Sequence, residues 1–241
     1  MAFDPLTATG LVVAQTDDGR EVFCGTAFLF RHEHVALTAD HCVPESARVI
    51  HLVLPRLNRT QEVLEVHRHP TADIAVLIGG ITHADSGGGY PEHAFWDRVS
   101  NWGLAEEFLA FGYPDEGPTP EVSGVTPVPR SFVGHFQRFF NYSSPNGYRY
   151  LAGEMSIPAP SGLSGGPVFR RGAPSMLTAM VTANVETYAV TDSLEEVRSG
   201  GEVLRLESRR VLSYGLCLML SEVSDWLHEI VPDRPDMGWV S

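Results

Sequence analysis

Apolar residues in the first third of the chain come in short bursts separated by turn-formers, not at the spacing of a helix face. Residues 10–14, 22–30, 35–37, 49–54, 62–66 and 74–78 read as strands, with Asp17-Asp18-Gly19 as the first turn. Such close spacing predicts a β-barrel or sandwich. Residues 79–103, rich in Gly, His and Ser, read as a long surface connection. A strand at 108–111 follows, then the turn Gly112-Tyr113-Pro114. The proline-rich stretch 115–130 reads as a linker, which divides the chain into residues 1–115 and 116–241. Strand-like runs resume at 131–139, 148–151, 168–169, 176–182 and 211–219. The charged segment 186–210, interrupted by Gly200-Gly201, reads as a mobile loop or short excursion. Only the end is helical in pattern: Ser221 is placed to cap, Val223, Trp226, Leu227 and Ile230 share a face, and Pro232 stops it. The fold class is all-β with a C-terminal helix.

The chain has 241 residues, of which 43% are hydrophobic, enough for a sizeable core. Its net charge of −13 argues against nucleic acid and anionic membrane surfaces as partners. No apolar run is long enough to span a bilayer. The opening Met1-Ala2-Phe3-Asp4-Pro5-Leu6 lacks the pattern of a secretory signal, so a cytoplasmic location is expected. Cys24, Cys42 and Cys217 are too few for a disulfide scaffold and wrongly spaced for structural zinc.

Three stretches carry candidate chemistry. Leu37-Thr38-Ala39-Asp40-His41-Cys42 supplies a histidine at a strand end. Asp73 precedes the apolar run Ile74-Ala75-Val76-Leu77, where a carboxylate is costly unless partnered. Pro160-Ser161-Gly162-Leu163-Ser164-Gly165-Gly166-Pro167 supplies a serine in a glycine-rich turn. Amide hydrolysis needs a base to take the serine proton and a carboxylate to fix the imidazole tautomer. Ser164 is therefore the expected nucleophile, His41 the base and acid, and Asp73 the orienter. Glycine permits dihedrals that aim successive N–H groups at one spot, so the N–H groups of Gly162 and Ser164 are the expected oxyanion hole. The segment Gly162-x-Ser164-x-Gly166 also matches an esterase nucleophile elbow. That fold needs a strand before the serine, a helix after it and a histidine last; Pro158, Pro160 and Pro167 oppose it. The pairs His32/His34 and His67/His69 lack a marked third ligand, so no metal and no cofactor are expected.

These stretches, with Cys24-Gly25-Thr26-Ala27-Phe28-Leu29 before the first, resemble the catalytic blocks of trypsin-like serine proteases. Met180-Val181-Thr182-Ala183-Asn184 resembles the strand lining the substrate cleft, and Tyr214-Gly215-Leu216 the strand behind the specificity pocket. The resemblance implies two six-stranded antiparallel β-barrels with the site between them, and is closest in character to bacterial trypsin-like peptidases. It implies substrate-binding roles for Pro158, Thr182, Ala183, Asn184 and Gly215. Leu163 stands where trypsin has the aspartate that pairs with a freed N-terminus, so activation by that route is not expected. Pro158 stands where trypsin has the carboxylate that anchors Arg or Lys, so an apolar or small residue before the cut is expected. Cys24 and Cys42 fall where the family often has a disulfide; in a reducing compartment they are neighbouring thiols. The acidic run Glu186, Asp192, Glu195 and Glu196 is solvated loop or a lure for basic substrates. The expected partner is a polypeptide substrate, with a regulatory protein as a further possibility. The competing reading is a protease fold used as a non-catalytic or partner-activated binding module.

Overall fold

A computed structural model describes residues 4–80, 95–101, 103–115, 128–197 and 203–231. Six strands form the first sheet: β1 (Thr9–Gln15), β2 (Glu21–Phe30), β3 (His32–Thr38), β4 (Val49–Leu54), β5 (Arg59–Arg68) and β6 (Ala75–Gly79). All pair antiparallel in the order β1-β2-β3-β6-β5-β4, and β4 returns to β1 to close the barrel. Five of the six strands read from this part of the sequence fall inside one of these strands, and the sixth, 74–78, begins one residue ahead of β6.

The second sheet contains β7 (Arg98–Val99), β8 (Glu107–Gly112), β9 (Arg130–Ser143), β10 (Arg149–Met155), β11 (Pro167–Arg170), β12 (Ala173–Val197) and β13 (Val203–Met219). Its order is β11-β8-β9-β10-β13-β12-β7, and β11 pairs with β12 as well. Sheet membership thus changes between β6 and β7, ahead of the proline-rich stretch. β7 lies in the segment read as a bare connection; it runs parallel to β12, with Met176 opposite Arg98. Residues 81–94 and 116–127, from the two expected connections, lie outside the described residues, as does Pro232.

Period-2 alternation explains why so many strands read as unbroken apolar runs. In β2, Ala27 and Leu29 point into the barrel with Val12, Leu52 and Leu77. Phe28 and Phe30 point the other way, into a cluster with Trp96, which bridges to Phe30, and with Phe169, Met180 and Leu218 from the second sheet. β3 and β6 divide likewise: Ala36 and Leu77 go inward, Leu37 and Val76 outward. Strands buried on both faces need apolar residues at every position. The second sheet keeps a core of its own, with Phe108, Phe136, Met155, Val181 and Cys217. Burying one such large side chain contributes about 1.5–3 kcal/mol, so the shared cluster holds the two sheets in one body.

A single helical turn, α1 (Pro5–Ala8), precedes β1, and at the other end a 3-10 turn, Leu220–Val223, leads into α2 (Ser224–Ile230). Leu227 is buried, and Trp226 and Ile230 pack on the shared cluster. Ser221 does not cap this helix. It sits inside the 3-10 turn, and the N-cap position is Val223, with no side-chain hydrogen bond.

The larger departure lies at 186–210. The described part of this segment belongs to one long antiparallel ribbon, with Val185 opposite Tyr214 and Val197 opposite Val203. A two-stranded ribbon has no buried face to impose alternation, and its charges masked a run rich in β-branched residues.

Candidate active site

β3 ends at Thr38, and the chain turns through a 3-10 helix, Asp40–Cys42, that lifts His41 out of the barrel wall. Asp73 lies in the tight connection between β5 and β6 and is only 4% exposed. Its carboxylate accepts two bonds from one residue: the His41 backbone N–H at 3.1 Å and the ring Nδ1–H at 2.8 Å. These bonds stabilise the buried charge. They also fix the imidazole edge, leaving Nε2 with its lone pair when the ring is neutral. Burial works against the imidazolium. The Asp73 bond and the neighbouring Cys42 sulfur outweigh it, and the ring's pKa rises from 6.5 to about 10.

Asp40, the residue before His41, is itself buried and paired. Its carboxylate accepts from the Arg68 guanidinium and, at 2.9 Å, from the Tyr148 hydroxyl. Arg68 donates onward to the Val43 carbonyl. Tyr148 precedes β10, so this cluster ties the histidine's turn to the second sheet. Burial and the adjacent Asp40 charge push the Tyr148 phenol well up, so it stays a donor.

Two consecutive turns carry the serine. Leu163 N–H donates to Pro160 O at 3.1 Å, with Gly162 at φ +83°; Gly166 N–H donates to Leu163 O at 2.9 Å, with Gly165 at φ +82°. Positive φ at the third position is the signature of a type II turn. Space as well as dihedral demands glycine. A Cβ on Gly162 would lie 2.6 Å from Tyr113 O and 2.7 Å from Asp115 N, and one on Gly165 would strike Thr26 O and Thr38 Oγ1. Gly165 N–H is used by Val181 O. Among the described residues, none accepts from the N–H of Gly162 or Ser164. Two donors are thus left open beside the serine.

Thr26, fully buried in β2, locks these turns. Its N–H donates to Ser164 O at 2.8 Å, its Oγ1 donates to Gly162 O at 2.8 Å, and Oγ1 accepts from Tyr113 N–H at 3.0 Å. The Gly162 N–H belongs to the peptide whose carbonyl, Ser161 O, accepts from Asp115 N–H at 2.6 Å, and among the described residues it has no acceptor. Ser164 Oγ donates to Thr182 O at 3.4 Å and, among the described residues, makes no hydrogen bond to His41. All three cysteines are free thiols; Cys42 Sγ lies 3.6 Å from Ser164 O.

The residues assigned to substrate binding divide. Gly215 is buried, donates to Ile157 O, and has no room for a Cβ against Met155. Pro158, between Ile157 and Ala159, is exposed. Asn184 braces this wall: its Oδ1 accepts from Ala159 N–H at 3.0 Å, and it exchanges bonds with Ser213. Ala183 is half-buried beside it. The Thr182 side chain faces the core, between Tyr150 OH and Leu216 O, so its carbonyl alone reaches the serine. Thr26, Asp40, Arg68, Tyr148 and Tyr150 escaped sequence reasoning. A lone polar residue inside an apolar run, as at Thr26, was the available signal.

A cavity of about 530 Å³ between Phe30, Arg98, Met176 and Leu227 includes none of these residues. Among solved structures, the chain is similar to the active form of the Rv3671c protease from M. tuberculosis, at 15% identity and TM-score 0.61, over 96% of this chain and 84% of that one. The HtrA-type protease AlgW with decapeptide is similar at 16% identity and TM-score 0.60, over 94% of this chain and 65% of that one. The MamO protease domain from Magnetospirillum magneticum matches at 11% identity and TM-score 0.58, over 93% and 96%. At such identities these likenesses establish the fold. No curated protein matches the sequence. The model of the trypsin-like peptidase domain does match, over residues 25–173. That span holds His41, Asp73 and Ser164 and makes up more than half of the chain, so this protein belongs to the trypsin-like peptidase family.

Proposed function

We propose that the protein is a serine endopeptidase working through an acyl-enzyme, with Ser164 as nucleophile, His41 as general base and acid, and Asp73 as its orienter. The carrying observation is the pair of hydrogen bonds that His41 donates to Asp73, together with the N–H groups of Gly162 and Ser164, which have no acceptor among the described residues. In the first half-reaction Ser164 Oγ bonds to the scissile carbonyl carbon as its proton passes to His41 Nε2. The resulting oxyanion accepts from the N–H groups of Gly162 and Ser164, each such donor supplying about 3 kcal/mol. His41 then gives the proton to the leaving nitrogen as the C–N bond breaks. Water repeats the sequence on the acyl-enzyme and regenerates Ser164. The pairings β11-β8-β9-β10-β13-β12, joined by β11 with β12, support a second barrel with β7 outside it. Pro158 stands where a carboxylate would anchor a basic side chain, and among the described residues no carboxylate is hydrogen-bonded to Gly215, Asn184 or Pro158, which favours an apolar or small residue before the cut. The test is a fluorophosphonate probe followed by peptide mapping: one adduct on Ser164 supports the reading, and none on folded protein, with or without added polypeptide, refutes it.

One observation favours a partner-activated form of this reading. Ser164 Oγ donates to Thr182 O and, among the described residues, makes no hydrogen bond to His41, so its proton has no direct path to Nε2. A partner or substrate that turns Ser164 toward His41 completes the relay. Labelling that rises only with polypeptide present distinguishes this form.

A further inference from the structure

We propose that the free edge of β12, beyond Asn184, is a docking strand for a basic, extended segment of the substrate lying upstream of the scissile bond; this rests on the endopeptidase reading above. β11 pairs with β12 only as far as Met180, and β10 with β13 only at Leu216, Cys217 and Leu218. From Val185 opposite Tyr214 to Val197 opposite Val203, the two strands pair, among the described residues, with each other alone. The ribbon therefore stands clear of the sheet with unpaired backbone along both edges, a template for a further strand.

Its side chains point the same way. Tyr188 and Val211, directly opposed and so on one face, are 58% and 52% exposed; Val190 is 55% and Leu194 61% exposed. A two-stranded ribbon is marginal in water by itself. Bare aromatic and β-branched residues along it gain contacts when a third strand lies alongside.

Continuity with the cleft selects substrate as the occupant. The β12 edge turned away from β13 is the one that meets the serine turn: Val181 N–H donates to Gly166 O, Val181 O accepts from Gly165 N–H, and Thr182 O accepts from Ser164 Oγ. An extended chain with its scissile carbonyl at Ser164 continues along that same edge. β12 pairs antiparallel with both β11 and β13. The same sense in the substrate lays its residues before the cut along the ribbon.

Charge selects the kind of segment. Residues 185–197 contain no Lys or Arg and three acids, Glu186, Asp192 and Glu196, that stand opposite Ser213, Ser208 and Leu204; a fourth, Glu195, stands opposite Arg205. Residues 203–214 instead carry Arg205, Arg209 and Arg210 against one acid, Glu207. An acidic β12 arm disfavours its own pairing with the β12 arm of a second copy and suits lysine or arginine alternating with apolar residues.

The test compares two substrates on the full-length protein: an apolar dipeptide ester, and the same ester extended upstream by alternating Lys and Val. The extended ester should show kcat/KM about tenfold higher, as two or three cross-strand contacts would give. Replacing residues 188–211 by Asn-Gly, the pair that closes a tight hairpin, should erase that advantage and leave the dipeptide ester unchanged. The double variant Glu186→Lys, Tyr188→Ser, which keeps the ribbon, should reduce it too. Equal kcat/KM for both esters in the unmodified protein overturns the proposal. So does the same advantage for an extension with Glu in place of Lys, or a dimer in sedimentation that dissolves when the ribbon is shortened. A separate readout uses Ser164→Ala and the fluorescently labelled Lys/Val peptide. Saturable anisotropy that disappears with the ribbon upholds the docking strand even if neither ester is hydrolysed, an outcome that removes the endopeptidase reading alone. Absence of binding there removes the docking strand.

Discussion

The turn carrying Ser164 and the ribbon leaving from Thr182 are near neighbours built on opposite terms. The turn is fixed several times over: two glycines at positive φ, Thr26 on two of its carbonyls, and Val181 against Gly165. The ribbon is held by one ladder and keeps Tyr188, Val190 and Val211 in water. On the readings proposed above, a nucleophile asks for rigid placement and a long substrate for an open surface, and one strand, β12, would serve both.

The sharpest way to break the turn side of this contrast is chemical. Ser164→Ala should lower kcat by roughly 10⁶-fold while leaving the melting temperature unchanged, and His41→Ala added to it should cost little more, because the residues act as a unit. Retained turnover would show that the turn does not hold the nucleophile. Asp73→Asn should lower kcat by roughly 10⁴-fold by releasing the tautomer. It should also move the acid limb of the pH–rate profile. The base must be neutral, and the raised His41 value puts the unmodified limb above pH 6.5; losing Asp73 brings it down. The same pair links to folding in the opposite sense. Its stabilisation is complete below pH 6.5 and is lost as pH rises through about 10, which denaturation at a series of pH values would follow.

Smaller changes grade the two regions against each other. Gly165→Ala forces a Cβ into Thr26 O at a left-handed φ and should destabilise the fold by about 3 kcal/mol in denaturant titration. Thr26→Val keeps the shape but leaves Gly162 O and Tyr113 N–H unpaired, costing about 1–3 kcal/mol. It should also lower kcat on a short ester with KM unchanged, since the open donors lose their aim. Tyr188→Ser, by contrast, should change stability by less than about 0.5 kcal/mol. A larger loss would mean that the ribbon is braced by more than its ladder.

What the sequence disclosed follows this same division. The candidates His41, Asp73 and Ser164 sit in short local motifs, and β2, β3 and β6 are apolar on both faces, so the motifs and these strands were readable. The ribbon was not, because neither of its faces is buried and Glu195-Glu196 with Gly200-Gly201 looked like loop. Its signal was the β-rich run Thr187-Tyr188-Ala189-Val190-Thr191. Thr26 and Tyr148 were invisible for another reason: their partners Gly162 and Asp40 lie 136 and 108 residues away. Bonds of that span leave no pattern in a window of sequence.

Thr26 also sets an order of events during synthesis. It leaves the ribosome long before Gly162 and waits, as an unpaired hydroxyl in an otherwise apolar strand, for the other half of the molecule. Until the two halves dock, the Gly162 and Ser164 carbonyls lack the Thr26 donors that hold them. On the endopeptidase reading proposed above, a half-folded chain carries its serine on a turn that is not yet held in place.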